Sequence, residues 1–361
     1  MASINGINTN MALKLNAAAT AWGTAGAFGG TDKIIALANY PDNAPILAKS
    51  GVSSGKQFGS GADKGTPTFN LNLQFVGGQT EEATPPGFQN GFDRCLAQFF
   101  GASAAPAEQT ASQGDYMHRL TFATATNPSY CTFAIQETST EVAEMASVAF
   151  QTLTIDASNP TSYLSATFDG IASGIESDAP TNSFATIGSQ TTPDEEAVVV
   201  APDDDFWLDT QASVALASGD QVNIQGYVLT LNKPQSQKNE IKGSSGSGSP
   251  TLDSQYTGEL TLSFKELPDH TIVEYWESET YLKCLLNLEG TQIASGVNRS
   301  LKFYIPRMKI LTRPTYSVTS AGTNIYTATF RLFAASSAPT GMNSTMPYAE
   351  VINTRTTVYQ A

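Results

Sequence analysis

Four aspartates, Asp203, Asp204, Asp205 and Asp209, fall within seven residues, a density of carboxylate oxygen that suits a hard cation such as calcium. They lack the twelve-residue loop with its inner glycine and terminal glutamate, so the segment reads as a solvated acidic linker. Asp269 and His270 are adjacent, but a catalytic Asp–His pair needs a nucleophile in reach, and none can be nominated. Cys95, Cys131 and Cys284 are odd in number and far apart, with no CxxC pair, and His118 and His270 stand alone. Neither a disulfide framework nor a zinc site is expected; Cys95 and Cys284 read as buried thiols on apolar helix faces. The chain has no G-x-S-x-G, phosphate-binding loop or H-E-x-x-H motif, and the glycine-rich stretch 243–248 lacks the strand-then-helix frame of a phosphate loop. The expectation is therefore a protein without catalytic, cofactor-binding or metal-ligating residues, and not an enzyme.

The composition points the same way. Charged residues make up 14% of the 361, against about 25% in an ordinary globular chain, and hydrophobic residues make up 40%. The surface should be rich in small polar groups, which suits a protein that covers itself with further copies of itself. The formal charge of −14 argues against binding nucleic acid through its phosphates, which needs clustered Lys and Arg. A surface that repels phosphate still lets DNA slide past without sticking. No apolar run approaches the ~20 residues of a membrane span, and the N-terminus resembles no signal peptide. The expectation is a soluble chain made in the cytoplasm, with no membrane partner.

The elements that would position such a surface are mostly strands. Residues 1–30 are small and polar and read as an arm. Residues 68–75 (TFNLNLQF) alternate cleanly, with Phe69, Leu71, Leu73 and Phe75 on one face and Thr68, Asn70, Asn72 and Gln74 on the other. A helix over 88–100 follows, with Phe88, Phe92, Cys95, Leu96, Phe99 and Phe100 on one stripe and Gly101 as its stop. Strands are expected at 119–123, 130–136, 146–155 and 163–171.

The second half repeats this order. Strands at 207–216 and 222–231 precede a polar stretch, 235–250, and then a second alternating strand at 257–264 (TGELTLSF) with Thr257, Glu259, Thr261 and Ser263 on its polar face. A second helix is expected over 272–288, with a capping pattern at Thr271 and Glu274 and Gly290 at its end. Strands resume at 300–305, 309–317 and 325–334. The matching order, and the shared string Ala166-Thr167-Phe168 and Ala328-Thr329-Phe330, indicate a duplicated domain. The boundaries are an arm at 1–30, a first domain at 31–190 and a second at 191–361, with the junction inside 180–205. The fold class is mainly β: two tandem β-sandwich or split-barrel units, each with one flanking amphipathic helix.

This order, an alternating strand, one amphipathic helix and returning antiparallel strands, resembles the tail tube proteins of long-tailed bacteriophages, related in fold to the tube proteins of type VI secretion. The resemblance covers the chain from about residue 30 and rests on elements rather than on a motif. It implies a structural virion protein whose copies close into rings, with the inner strands lining a channel for DNA. With two tube-like units per chain, it implies a homotrimeric, pseudo-hexameric ring that stacks into a tube. The strands at 68–75 and 257–264 become the channel-lining candidates (Thr68, Asn70, Asn72, Gln74, Thr257, Glu259, Thr261, Ser263). Lys265 departs from an acidic lining. The stretches 41–67 and 235–250 match the loop that reaches a neighbouring subunit, and 346–359 matches a closing segment. The implied partners are other copies, the terminator, tape measure and baseplate or tip proteins, and DNA passing through without specific binding. No cofactor is implied.

Two other classes share the composition. A surface adhesin on a β-sandwich would place exposed aromatics on loops, whereas most aromatics here have core spacing. A β-sandwich hydrolase would need convergent carboxylates or a triad.

Overall fold

The computed structural model describes residues 11–16, 20–29, 33–35, 45–46, 68–76, 91–123, 130–136, 140–158, 164–190, 204–237, 249–253, 255–264, 271–318 and 324–359. The chain begins with strands β1 (Met11–Leu15), β2 (Lys33–Ile35), β3 (Pro45–Ile46) and β4 (Thr68–Val76), then helix α1 (Phe92–Phe100). Next come β5 (Gly101–Ser103), β6 (Ala107–Glu108), β7 (Tyr116–Phe122), β8 (Cys131–Gln136), β9 (Val142–Ala157) and β10 (Ser165–Ala172), then the short helix α2 (Phe184–Gly188). The second half carries β11 (Asp204–Thr210), β12 (Gly226–Asn232), β13 (Gln235–Gln237), β14 (Pro250–Leu252) and β15 (Thr257–Phe264). Helix α3 (Thr271–Glu277), β16 (Leu282–Ala294), β17 (Val297–Ile310), β18 (Thr315–Val318), β19 (Asn324–Leu332) and β20 (Tyr348–Asn353) complete it. The protein is mainly β. Apart from the β13–β14 hairpin, the described strands form one hydrogen-bonded, antiparallel network.

That network has two faces of a single core. One run of neighbours is β3–β4–β10–β9–β12–β15–β19–β18. Another is β11–β16–β17–β20–β7, with β5 and β6 on the far side of β7. Their apolar sides meet in one cluster, in which Leu153, Phe168, Leu229, Leu260 and Phe330 of the first run join Leu120, Leu286, Phe303 and Val351 of the second. Two long strands change partner part-way: β17 connects the two runs, and β9 joins β8 to the first. β9 pairs with β8 through residues 142–148 and with β12 through 152–157. β17 pairs with β20 through Ser300–Tyr304 and with β19 through Met308–Ile310. Pro306 sits where the β16–β17 register shifts, between Ile305 and Met308, where a missing N–H disturbs least.

The two halves are interleaved in this network. β12 of the second half lies on β9 of the first, and β20, near the C-terminus, lies between β17 and β7. The alternating strands have matching partners. β4 pairs with β10, placing Leu73 opposite Phe168, and β15 pairs with β19, placing Leu260 opposite Phe330. Between the two pairings the register moves by two residues, which preserves the face each side chain takes.

Helix α1 is buried on every side, so its polar residues need partners inside the protein. Asp93 Oδ2 accepts from the Tyr359 hydroxyl at 2.6 Å, Arg94 Nη1 donates to the Leu13 carbonyl at 3.3 Å, and Gln98 Oε1 accepts from Phe150 N–H at 3.1 Å. Gly101, at φ 84°, ends the helix and returns its N–H to the Ala97 carbonyl. The Lys233 ammonium from the second half donates to the Phe99 carbonyl at 3.3 Å, where the helix dipole favours positive charge. Phe92, Phe99 and Phe168 pack at 5.3–6.3 Å between ring centres. The C-terminal segment is thus clasped onto the first half through Tyr359, Asn353 Nδ2 (2.8 Å to the same hydroxyl) and β20.

Several expectations change. The helix expected over 272–288 ends at Glu277, and residues 282–288 belong to β16. Leu282, Cys284, Leu286 and Leu288 alternate along β16 and join the apolar core, a strand pattern that its leucines also let pass as a helical stripe. Glu279, at φ 55°, makes the turn, and Gly290 lies inside β16 rather than closing a helix. Cys284 is therefore a strand thiol; Cys95, Cys131 and Cys284 are all buried and unpaired with one another. Residues 11–15, expected in a polar arm, form β1 against β8 and β2, with Ala12 and Leu13 fully buried. The strand expected at 300–305 lies within β17, and the one expected at 309–317 divides between the end of β17 and β18. The first helix begins at Phe92; its expected first turn, 88–90, lies outside the described residues, as do 191–203 of the junction, most of 41–67, the glycine-rich 243–248, Lys265, Asp269 and His270.

Candidate functional site

The polar face of the β10–β9–β12–β15–β19 run is presented to solvent in register, with β4 paired beyond β10. Alternation sends every second residue outwards. On β15, Thr257 and Glu259 are exposed and Thr261 and Ser263 half-buried, while Leu260, Leu262 and Phe264 are fully buried. The neighbours repeat the chemistry: Thr152, Thr154 and Asp156 on β9, Ser165, Thr167 and Asp169 on β10, Val228, Thr230 and Asn232 on β12, and Thr327, Thr329 and Arg331 on β19.

Register assembles these into rows across the sheet. One row runs Gln74, Thr167, Thr154, Thr230, Glu259, Arg331, and continues onto Lys309 of β17. A second runs Asn72, Asp169, Thr152, Asn232, Thr257, and a third Ser165, Asp156, Val228, Thr261, Thr329. Within rows, Thr152 Oγ1 and Asn232 Oδ1 are 3.0 Å apart, and the Thr261 and Thr329 hydroxyls 3.2 Å. Hydroxyl and amide ladders of this kind hold a flat, wettable surface without large side chains.

Of the channel candidates named from sequence, Thr257, Glu259, Thr261 and Ser263 share this face. Thr68, Asn70, Asn72 and Gln74 lie on β4, whose backbone register sets Asn72 opposite Asp169 and Gln74 opposite Thr167. The two candidate strands do not touch; β10, β9 and β12 stand between them. The residues of those intervening strands, and of β19, were not singled out from sequence. Their alternation of threonine with Leu, Ile or Phe carries the signal, but only pairing shows that it continues the same face. The described side chains of the face carry three carboxylates, Asp156, Asp169 and Glu259, and one guanidinium, Arg331.

Concavities among the described residues lie elsewhere. A groove of about 740 Å³ lies among the ends of β12, β15 and β19, lined by Phe122, Leu231, Leu252, Tyr256, Leu332 and Met346. Tyr256 stacks on Phe122 at 4.3 Å and donates to the Ala123 carbonyl at 3.1 Å. A more polar cleft of about 340 Å³ lies over β11, β16 and β17, lined by Asp205, Trp207, Asn287, Glu289 and Lys302. Asp205 accepts from Gln221 Nε2 at 2.6 Å, and Asn287 Nδ2 donates to Glu289 at 2.8 Å. Asn287 is 3% exposed and its Oδ1 has no hydrogen-bond partner among the described residues. Among those residues, no three or more His, Cys, Asp or Glu side chains group as a cation site, and no helix is long and apolar enough to cross a membrane.

No protein-family model matches the chain, and no curated protein is significantly similar to it.

Proposed function

We propose that this chain is the ring-forming subunit of a phage tail tube, built from two tandem copies of a tube-like unit, with the Thr-rich sheet face lining the channel. The observation that carries the reading is the continuous sheet to which both halves contribute, with its apolar side in the core and its polar side in solvent. Among the described residues both ends of that sheet are open. β3 covers only the first two residues of β4, and β18 has no neighbour beyond it among the described residues. Open edges invite a further strand, and a ring removes them.

The dimensions are compatible with DNA. Eight strands per chain at ~4.8 Å spacing give three chains a barrel backbone roughly 40 Å across, before the widening that strand tilt adds. Side chains on the wall then leave room for a duplex. The hydroxyl-rich lining offers few cations to hold phosphate, and Asp156, Asp169 and Glu259 repel it. The duplicated unit is supported by the like pairings β4–β10 and β15–β19, and a trimer follows from two units per chain in a sixfold-like ring.

Negative-stain electron microscopy of the purified chain across concentrations tests this. Hollow rings or tubes with threefold or sixfold views are expected; discrete monomers at every concentration, with and without other tail components, would sink the reading. A second reading, a surface adhesin, is favoured by one observation: the cleft with the Trp207 ring beside Asp205, Asn287, Glu289 and Lys302 has the mixed aromatic and polar lining of a sugar site. Specific glycan capture by a monomer, lost in Trp207→Ala, would support it.

A further inference from the structure

The cleft over β11, β16 and β17 is built from rows that the register fixes. Asp205, Asn287 and Lys302 are direct partners across the three strands, and Trp207, Leu285 and Tyr304 form a parallel row. Alternation sends Phe206, Leu208, Leu286, Leu301 and Phe303 into the core, so both rows face away from it. Leu216, Ala217 and Ser218 supply a further wall.

Asn287 is the residue that asks for a ligand. It lines the cleft and is 3% exposed, and its Oδ1 has no hydrogen-bond partner among the described residues. The amide orientation follows from its neighbour. Nδ2 lies 2.8 Å from Glu289 Oε1, and a carboxylate only accepts, so the unmet atom is the oxygen. Buried polar atoms are ordinarily paired, so this one calls for a donor. A carboxylate offers about four acceptor sites, so Asp205, which takes Gln221 Nε2 at 2.6 Å, has capacity left for more. Lys302 is the cation among the lining residues, and Trp207 is half-buried.

We infer that this cleft holds one neutral 2-acetamido sugar, an N-acetylhexosamine. The acetamido group brings an N–H, a carbonyl and a methyl. Asn287 Oδ1 accepts from the first, and the Lys302 ammonium, its register partner, donates to the second. Trp207 and Leu285 pack against the methyl and the C–H face of the ring. Asp205 and Glu289 accept from hydroxyls and disfavour acidic sugars. The volume, about 340 Å³, is at the small end of ligand sites and suits one ring. The inference rests on the glycan reading of this cleft and names its sugar. It is compatible with a tube, because β11, β16 and β17 lie across the core from the Thr-rich face.

The test titrates the full chain by calorimetry with N,N′-diacetylchitobiose and with cellobiose, the same disaccharide with hydroxyls in place of both acetamido groups. The acetamido sugar should bind about tenfold more tightly or better, because the 2-hydroxyl leaves the Lys302 and Trp207 contacts unmade. Saturation-transfer NMR should show the acetyl methyl closest to the protein. Asn287→Leu should weaken diacetylchitobiose about tenfold. Lys302→Met, at an outward-facing position that keeps a long stem, should do the same and leave cellobiose within about twofold. This second variant carries the test if the buried one fails to fold. Equal affinity for the two disaccharides, or native affinity for diacetylchitobiose in Lys302→Met, would overturn the inference and leave the glycan reading standing. No binding of either at millimolar concentration would overturn both, and the tube reading would still be decided by electron microscopy.

Discussion

At the scale of single residues, the buried ionisable groups around the C-terminal clasp set a pH dependence. His118 is buried on β7, its Nε2 2.9 Å from the Arg355 carbonyl and its ring 4.8 Å from that of Tyr359. Burial pushes its pKa down to about 4, against a smaller upward pull from that carbonyl. Below an unfolded pKa of about 6.5 the unfolded chain takes up a proton that the folded chain refuses, so this contribution is full above about 6.5 and is lost as pH falls towards 4. Burial raises the Asp93 carboxyl above its usual range, which acts in the opposite sense as pH falls. Replacing His118 by Gln isolates the histidine: between pH 7 and pH 5 the native protein should lose about 1–2 kcal/mol more than His118→Gln, read from urea midpoints. Equal losses would show that the ring titrates normally.

At the scale of elements, the joins between halves matter most. Gly226 opens β12 where it meets the end of β9, and a Cβ there would lie 2.7 Å from the carbonyl oxygens of Ala157 and Ser158. Backbone cannot yield as a flexible side chain can, so Gly226→Ala should cost roughly 2–3 kcal/mol. Chemical denaturation gives the number, and a loss below about 0.5 kcal/mol would mean that the β9–β12 join is looser than described. The helix α1 is the other join, since its polar residues are satisfied from β1, β9, Lys233 and the C-terminal Tyr359. Its composition marks it as an amphipathic surface helix, yet it is enclosed. Nothing local distinguishes a helix with one apolar stripe from one whose polar side is met by buried partners far away in sequence.

At the scale of the whole molecule, the proposed ring makes the exposed β18 edge a contact between copies. Among the described residues β18 is short, exposed and paired on one side, with Tyr316 half in solvent. A lysine on such an edge is a common guard against pairing. Tyr316→Lys should leave the melting temperature within a few degrees of native, because surface changes of this kind cost within about 0.5 kcal/mol. It should also abolish ring formation in the electron microscope; intact rings from this variant would place the subunit contact elsewhere.

The alternation at 68–75 and 257–264 determined by itself that these are strands, because a period of two has a single backbone solution. Composition determined that the surface would be poor in charge. The sequence left open whether 282–288 is helix or strand, since leucines at 282, 285, 286 and 288 satisfy both periods; the two flanking strands β11 and β17 decided it by supplying ladder partners. It also left open that β10, β9 and β12 would stand between the two alternating strands and extend their polar face. The β4–β10 and β9–β12 pairings link residues about seventy or more positions apart, and no local pattern encodes which edge a strand will meet. Tertiary structure alone therefore joined strands of both halves into one sheet.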